Sequence, residues 1–346
     1  MILLCYGTRP EWIKIKPLID EFKINDIEYK ILFTGQQVDI AKFERDWTVE
    51  IENGMNRLDS IVKSIMDNSL SEFIKYVEVL YGSGTCKTKL THILVQGDTT
   101  SALALALSAF HHGLKVIHLE AGLRTYDREN PYPEEINRRI ISQIADIHLC
   151  PTDKAEENLH HEGLSGKFFV VGNTVIDNLL PYKEKCEYTN KILVTLHRRE
   201  NHHWMNEWFM SIDYLAKTYP QYEFILPIHP NPNVQKHRDI LKHVRVIDPL
   251  PYEEMLELLV KTRLVITDSG GLQEECSFFN KKCLVCRKVT ERPEAMGQSS
   301  FIIDSPIDLI EKFVWHHDDY KIDYECPFGD GNSAKKITWI LKEIIK

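Results

Sequence analysis

The stretch from Ile93 to Arg139 constrains this chain more than any other. An apolar run, Ile93-Leu94-Val95, stops at Gly97-Asp98, and a helix-like segment follows from about Thr99 to His111. A second apolar run, Val116 to Leu119, then stops at Glu120. Strand, helix, strand in that order is the pattern of a right-handed parallel crossover. Ligands of parallel sheets bind outside the carboxyl ends of the strands, so Asp98 and Glu120 are expected to point into one crevice. The loop beyond Glu120 adds Arg124, Asp127, Arg128 and two prolines before Glu134-Glu135. So many ionisable groups in one place point to acid–base chemistry.

The same alternation runs on both sides of this stretch. Residues 2–6 and 29–33 read as strands, and Gly7-Thr8-Arg9-Pro10 as a tight turn into a helix, with proline suited to its first turn. Arg9 then stands at a strand end and Lys14 about one turn into the helix. From Glu44 to about Lys89 the sequence reads as helical, and GSGT closes it as a helix stop. Strands at 147–152 and 168–173 complete a first α/β set, and the helix from Pro133 to Ala145 begins with Glu134 and Glu135, acidic residues that also suit a helix N-terminus. After the connection TVIDNLLPYKEKCEYTN the pattern restarts, with strands at KILVTL, EFILPI, VRVI, RLVIT, KCLVC and FIID. The expectation is an α/β chain of two such domains facing across a cleft.

At 346 residues the chain suits two domains, and 43% hydrophobic with 27% charged residues is ordinary globular composition. A net charge of −9 disfavours nucleic-acid binding, which wants a basic face. The opening MILLCYGTRPEW lacks a secretory leader, and no apolar run approaches the ~18 residues of a membrane span. The eight cysteines are scattered, which suits reduced thiols; no membrane partner and a cytoplasmic location are expected. Cys283 and Cys286 form a CxxC, but on a strand their sulfurs turn to opposite faces. The histidine pairs at 111–112, 160–161, 202–203 and 316–317 are adjacent residues that rarely share one ion. No metal is expected, and without GxGxxG or a Walker loop no nucleotide cofactor either.

In the second half, Asp268-Ser269-Gly270-Gly271 follows the apolar run LVIT and opens a helix near Leu272. Glycines admit a ligand close to the backbone, and the unpaired N–H groups of a helix start attract phosphate. The same residues also make a good helix cap. Glu275, one turn further in, is placed to accept from ribose hydroxyls or to face solvent. Arg9, His197-Arg198-Arg199 and Arg292 are cations suited to a diphosphate, and the two arginines beside His197 raise its interest.

At this point the sequence resembles the non-hydrolysing bacterial UDP-N-acetylglucosamine 2-epimerases over nearly the whole chain. The resemblance rests on GTRPEWIK (7–14), GDTT (97–100), HLEAGLRT (118–125), PYPEEINR (131–138), GNTVID (172–177), HRREN (197–201), HPNPNV (229–234), TDSGGLQEE (267–275), TERPEA (290–295) and PFGDG (327–331). It implies the GT-B architecture, two Rossmann-like domains with the active site between them and a C-terminal helix crossing back to the first. The domains would be 1–175, completed by about 329–346, and 176–328. The implied reaction removes UDP from C1 and the proton from C2, leaving a 2-acetamidoglucal, then adds UDP back with protonation on the other face. By the resemblance Asp98, Glu120 and Glu134 are the working carboxylates and His197 acts near the leaving diphosphate. Arg9, Ser269, Gly270, Gly271, Glu275 and Arg292 would hold the UDP part, with Lys14 and Arg138 near the site. A homodimer and a role in surface-polysaccharide precursor supply are implied as well.

The chain departs from the family at Gln37, where histidine is common, in a region that helps some members bind an activating nucleotide-sugar. Met255 stands where an aromatic residue is expected and Leu196 where glycine is common. These departures leave room for a related substrate, such as a 2,3-diacetamido sugar. A hydrolysing relative, a GT-B glycosyltransferase and a non-catalytic nucleotide-sugar binder are the other readings. The clustered carboxylates fit the last two poorly.

Overall fold

Two parallel sheets organise the chain, each wound with helices. The computed structural model describes residues 1–37, 43–49 and 58–345, and divides into two compact units, Met1–Asn178 with Gly329–Lys346, and Leu179–Phe328.

Unit 1 begins with β1 (Ile2–Tyr6), α1 (Arg9–Ile24), β2 (Tyr29–Phe33), β3 (Trp47–Thr48), and α2 (Leu58–Ser64), which runs through a π-turn into α3 (Leu70–Gly82). It continues with β4 (His92–Gln96), α4 (Thr100–His111), β5 (Lys115–Leu119), α5 (Glu134–Ile144), β6 (Ile147–Cys150), α6 (Asp153–His161) and β7 (Lys167–Val170). The sheet order is β3-β2-β1-β4-β5-β6-β7, with every pairing parallel. The winding therefore reverses between β1 and β4, the switch point where open α/β sheets take ligands.

The inner strands are mostly apolar because both faces are covered. Ile2, Leu4 and Tyr6 of β1 join one core cluster with Ile15, Leu18 and Phe22 of α1, whereas Leu3 and Cys5 join the other with Ala102, Leu105 and Ala109 of α4. The stretch that reads as one helix from Glu44 to Lys89 holds the edge strand β3 before its helices, and α3 ends at Gly82. Its part over 50–57 lies outside the described residues. The helix stop is made by Gly84, whose φ of 78° suits a residue without Cβ.

Unit 2 holds β8 (Lys191–Thr195), α7 (Met205–Thr218), β9 (Glu223–Pro227), the single turn α8 (Pro232–Gln235), β10 (Arg245–Ile247), α9 (Tyr252–Leu259) and β11 (Thr262–Thr267). It closes with α10 (Gly270–Phe278), β12 (Lys282–Val285), β13 (Ser300–Ile302) and α11 (Pro306–His316). The order β10-β9-β8-β11-β12-β13, again parallel, repeats the winding of unit 1 and puts its switch point between β8 and β11. The sulfurs of Cys283 and Cys286 do point apart. Cys283 meets Cys276 of α10, and Cys286 lies among Leu284, Ile303 and Phe313.

The final helix, α12 (Ser333–Ile344), returns to unit 1, where Ile337 and Leu341 enter the core with α1. Asp177 caps it, accepting from the backbone N–H of Ser333 at 3.2 Å and of Ala334 at 2.8 Å. Among the described residues no helix is long and apolar enough to cross a membrane.

Candidate active site

In unit 1 the chemistry gathers at the carboxyl ends of β1, β4 and β5. Glu120 follows β5 with φ of 66°, a left-handed conformation that costs a side-chain-bearing residue energy and recurs at functional positions. Its carboxylate is gripped from three elements. Lys14 of α1 donates to Oε1 at 2.7 Å and Oε2 at 2.5 Å, Asn173 Nδ2 donates to Oε1 at 3.0 Å, and Gln96 Nε2 donates to Oε2.

Asp98, after β4, is held differently. Arg138 of α5 donates to its Oδ2 at 2.6 Å, and Asn137 Nδ2 donates to its backbone carbonyl at 2.9 Å. The Asp98 side chain keeps 29% exposure against 6% for Glu120, so Asp98 is the more open to a ligand. Glu134 opens α5, half-buried, beside the fully buried Glu135. Glu135 does more than offset a helix dipole: it accepts from the backbone N–H of Thr125 at 3.0 Å and Tyr126 at 3.1 Å, and pairs with Arg138 at 3.2 Å. It therefore fixes a turn in which Tyr126 has φ of 59°.

Glu11, which the sequence reading passed over, joins the loops that carry Arg9 and Asp98. It lies 2% exposed, and its Oε2 accepts from Gly7 N–H at 2.9 Å, Thr8 N–H at 2.7 Å and the Thr8 hydroxyl at 2.8 Å. Its Oε1 accepts from the Thr99 hydroxyl at 2.7 Å. Burial pushes the Glu11 carboxyl up, and these hydrogen bonds oppose the shift. The signal was in the sequence, because Thr8-x-x-Glu11 is a capping box. Arg9 begins α1, with its backbone N–H on Gln37 Oε1 at 2.9 Å. Arg124, one of the ionisable crowd, is buried and committed to Glu162, at 2.8 and 2.9 Å, and belongs to the fold.

In unit 2 the corresponding strand ends are those of β8 and β11. The helix after Asp268-Ser269 starts at Gly270 rather than near Leu272, with Ser269 as its cap residue. Both glycines therefore lie in the first turn, among the unpaired N–H groups. A Cβ on Gly270 would come within 2.6 Å of Arg292 Nη1 and 2.9 Å of Glu291 Oε1, whereas one on Gly271 meets nothing within 4 Å. Glycine at 270 is thus what lets a guanidinium lie against the helix start. Arg292 is set there by Glu274, at 2.5 Å from its Nε, and by Glu291, which in turn pairs with Arg287 at 2.9 Å. A guanidinium added to a helix N-terminus makes an anion site. Glu275 accepts from the Tyr252 hydroxyl at 3.2 Å, and burial with this carboxylate pushes the Tyr252 phenol up.

His197 follows β8 and stacks on His229, ring centroids 5.1 Å apart and 15° from parallel. Burial holds the His197 imidazole below its ordinary value, opposed by nearby Asp268. Asp268, read in the sequence as a helix cap or phosphate loop, turns toward the His197 loop instead. It accepts from the backbone N–H of His197 at 2.9 Å and of Arg198 at 2.8 Å.

The residues singled out from sequence fall into two groups. Arg9, Lys14, Asp98, Glu120, Glu134 and Arg138 line the strand-end region of unit 1, and His197, Ser269, Gly270, Gly271, Glu275 and Arg292 that of unit 2. Two parallel α/β sheets, with carboxylates and matched cations at the strand ends of one and a histidine and a glycine helix start at those of the other, define a two-sheet α/β protein of the GT-B fold class.

The UDP-N-acetylglucosamine 2-epimerase family model matches residues 21–342. The UDP-N-acetylglucosamine 2-epimerase of Campylobacter jejuni is 37% identical, covering 98% of this chain and 97% of its own. That of Neisseria meningitidis is 36% identical, with 97% of each covered. The crystal structure of UDP-GlcNAc 2-epimerase from Neisseria meningitidis bound to UDP-GlcNAc superposes with a TM-score of 0.86 at 34% identity, over 99% of both chains. The Methanocaldococcus jannaschii enzyme in complex with UDP-GlcNAc and UDP gives 0.80 at 30%, again over 99% of both. The wall teichoic acid polymerase TagF, at 11% identity and a TM-score of 0.56, covering 100% of this chain and 89% of its own, shares the fold alone. This chain belongs to the UDP-N-acetylglucosamine 2-epimerase family.

Proposed function

We propose that this protein interconverts UDP-N-acetylglucosamine and UDP-N-acetylmannosamine without hydrolysing them. The observation that carries the reading is the pair of carboxylates at adjacent strand ends, each matched by a cation, Asp98 with Arg138 and Glu120 with Lys14. Inversion at C2 needs a proton removed from one face and returned to the other, and C2 is not acidified by a neighbouring carbonyl. Cleavage of the C1–O bond therefore leads, and loss of the C2 proton completes an elimination to the 2-acetamidoglucal. UDP then adds back as C2 is protonated from the opposite face. Asp98, Glu120 and Glu134 are the groups we assign to proton handling and to the developing positive charge at C1. Arg9, Ser269, Gly270, Gly271, Glu275 and Arg292 hold UDP, His197 meets the leaving diphosphate, and Lys14 and Arg138 orient the carboxylates. A homodimer, a cytoplasmic location and supply of a surface-polysaccharide precursor complete the reading.

Proton NMR of the protein with UDP-N-acetylglucosamine in deuterated water tests it. The expected result is a UDP-N-acetylmannosamine signal with deuterium at C2 and no free sugar. Accumulation of free N-acetylmannosamine with UDP would instead mark a hydrolysing enzyme. Turnover of a 2,3-diacetamido nucleotide-sugar alone would move the substrate assignment.

A further inference from the structure

Asp268 ends β11 fully buried, and its carboxylate faces the loop after the neighbouring strand β8. Oδ2 accepts from the backbone N–H groups of His197 and Arg198 at 2.9 and 2.8 Å and from Asn201 Nδ2 at 3.0 Å. Oδ1 lies 3.5 Å from the ring nitrogen Nδ1 of His197. Asn201 Nδ2 also donates to the carbonyl of Cys286 at 2.9 Å, so the loop is tied to the next strand as well. The plane of the His197 ring is set by the stack on His229, and its edge by Asp268. His229 Nδ1 accepts the backbone N–H of Asn231 at 3.1 Å, so that ring carries its proton on Nε2 when neutral.

We propose that Asp268 is a positioning residue that holds the His197 imidazole with a proton on Nδ1, leaving Nε2 as the atom that meets the departing diphosphate. This rests on the reading of the reaction given above. A carboxylate against one ring nitrogen selects the tautomer with the proton there and stabilises the imidazolium when it forms. The remaining gap at Nδ1 exceeds an ordinary hydrogen bond by about 0.5 Å, and such contacts commonly tighten when substrate binds. In the elimination, the C1–O bond breaks and its electron pair goes to the diphosphate oxygen. The Nε2 proton of the imidazolium passes to that oxygen, leaving neutral imidazole with Nδ1–H toward Asp268. Re-addition of UDP returns the proton to Nε2.

Among the described residues, few charged or titratable groups meet this ring. Asp268 favours its protonated form, whereas Arg198 and His202 on its own loop and His229 from the end of β9 oppose it, as does burial. Asp268 is thus the group that keeps an imidazolium accessible. In Asp268→Asn, the side-chain oxygen can still accept from the loop amides. Its NH2 group would then face Nδ1 and donate to it, forcing the proton to Nε2.

The test is long-range ¹⁵N–¹H correlation NMR on the full chain labelled at histidine, with His197 assigned by the signals missing from His197→Asn. In the resting wild-type protein the expected neutral form has its proton on Nδ1. In Asp268→Asn the proton moves to Nε2, the His197 titration shifts to lower pH, and kcat falls by about 100-fold with KM within about threefold. A purely structural role for Asp268 would lower stability or raise KM without moving the tautomer. An Nε2–H tautomer in the wild-type protein overturns the proposal whether or not the variant folds, and so does an unchanged kcat in Asp268→Asn. The tautomer is read without substrate, so the two readings fail separately. A protein with the expected tautomer that does not epimerise UDP-N-acetylglucosamine refutes the reaction, while one that epimerises with Nε2–H refutes the role of Asp268.

Discussion

Gly270 and Gly271 show how one residue type serves two purposes. In sequence both are glycines opening a helix, and both suggest room for a phosphate. In the fold only Gly270 is crowded, by Arg292 and Glu291, while Gly271 opens onto free space. Gly270→Ala is therefore expected to push the Arg292 guanidinium from the helix start. On the proposed role of Arg292, a charge-assisted hydrogen bond to the diphosphate worth about 1.5–3 kcal/mol is lost, so KM for the UDP-sugar should rise about 10-fold or more. Steady-state kinetics on the two alanine variants checks this. Gly271→Ala should leave the resting fold unperturbed, and an unchanged KM in Gly270→Ala would remove Arg292 from UDP binding. Glu11 makes the complementary point. Its capping-box spacing was visible, but its bond to Thr99, which ties the Arg9 loop to the Asp98 loop, joins residues far apart in sequence.

At the scale of elements, the two sheets were readable because buried parallel strands are continuous apolar runs with turn signals at their ends. The helical expectation over 44–89 failed at β3, which is two residues long and sits at the sheet edge, too short for any periodicity to register. The return of α12 to unit 1 was expected from the family resemblance alone, since a helix's apolar stripe does not name the surface it covers. That surface is α1 and the sheet of unit 1, with Ile337 fully buried. Ile337→Ala should destabilise unit 1 by about 3 kcal/mol, the sum of lost transfer energy and a residual cavity. Denaturant unfolding should show a lower midpoint with an unchanged slope. A loss below about 1 kcal/mol would mean that α12 is not anchored through this side chain.

For the whole molecule, a buried histidine makes stability depend on pH. His118 is fully buried with Nε2 bonded to the carbonyl of Gly97 at 2.8 Å, and burial holds its imidazole down at about 3. In the unfolded chain the same ring takes a proton near its ordinary value of about 6.5. Between these values the unfolded state holds more protons, so stability is full above about 6.5 and is lost as pH falls. From pH 7 to 5 this one group should remove about 2 kcal/mol. Asp177 works the other way, because burial raises it to about 6 and the folded state gains protons first as pH falls. Comparing wild type with His118→Gln cancels the Asp177 contribution, since it is common to both. The variant should lose about 2 kcal/mol less between pH 7 and 5, and parallel pH profiles would show that His118 does not control acid stability.

Residue order alone determined that this chain makes parallel α/β units, that Asp98 and Glu120 stand at strand ends, and that a serine and two glycines open a helix after β11. Those features are local: apolar runs, turn residues and caps act over a few neighbours, and the family motifs are themselves short strings. Only the tertiary structure decided which cation meets which carboxylate, Lys14 on Glu120 and Arg138 on Asp98, and that Arg124 is spent on Glu162 instead. It also turned Asp268 from a helix cap into the partner of His197. Charges pair by distance in space, and that distance is set by the order in which strands lie side by side, which local sequence does not encode.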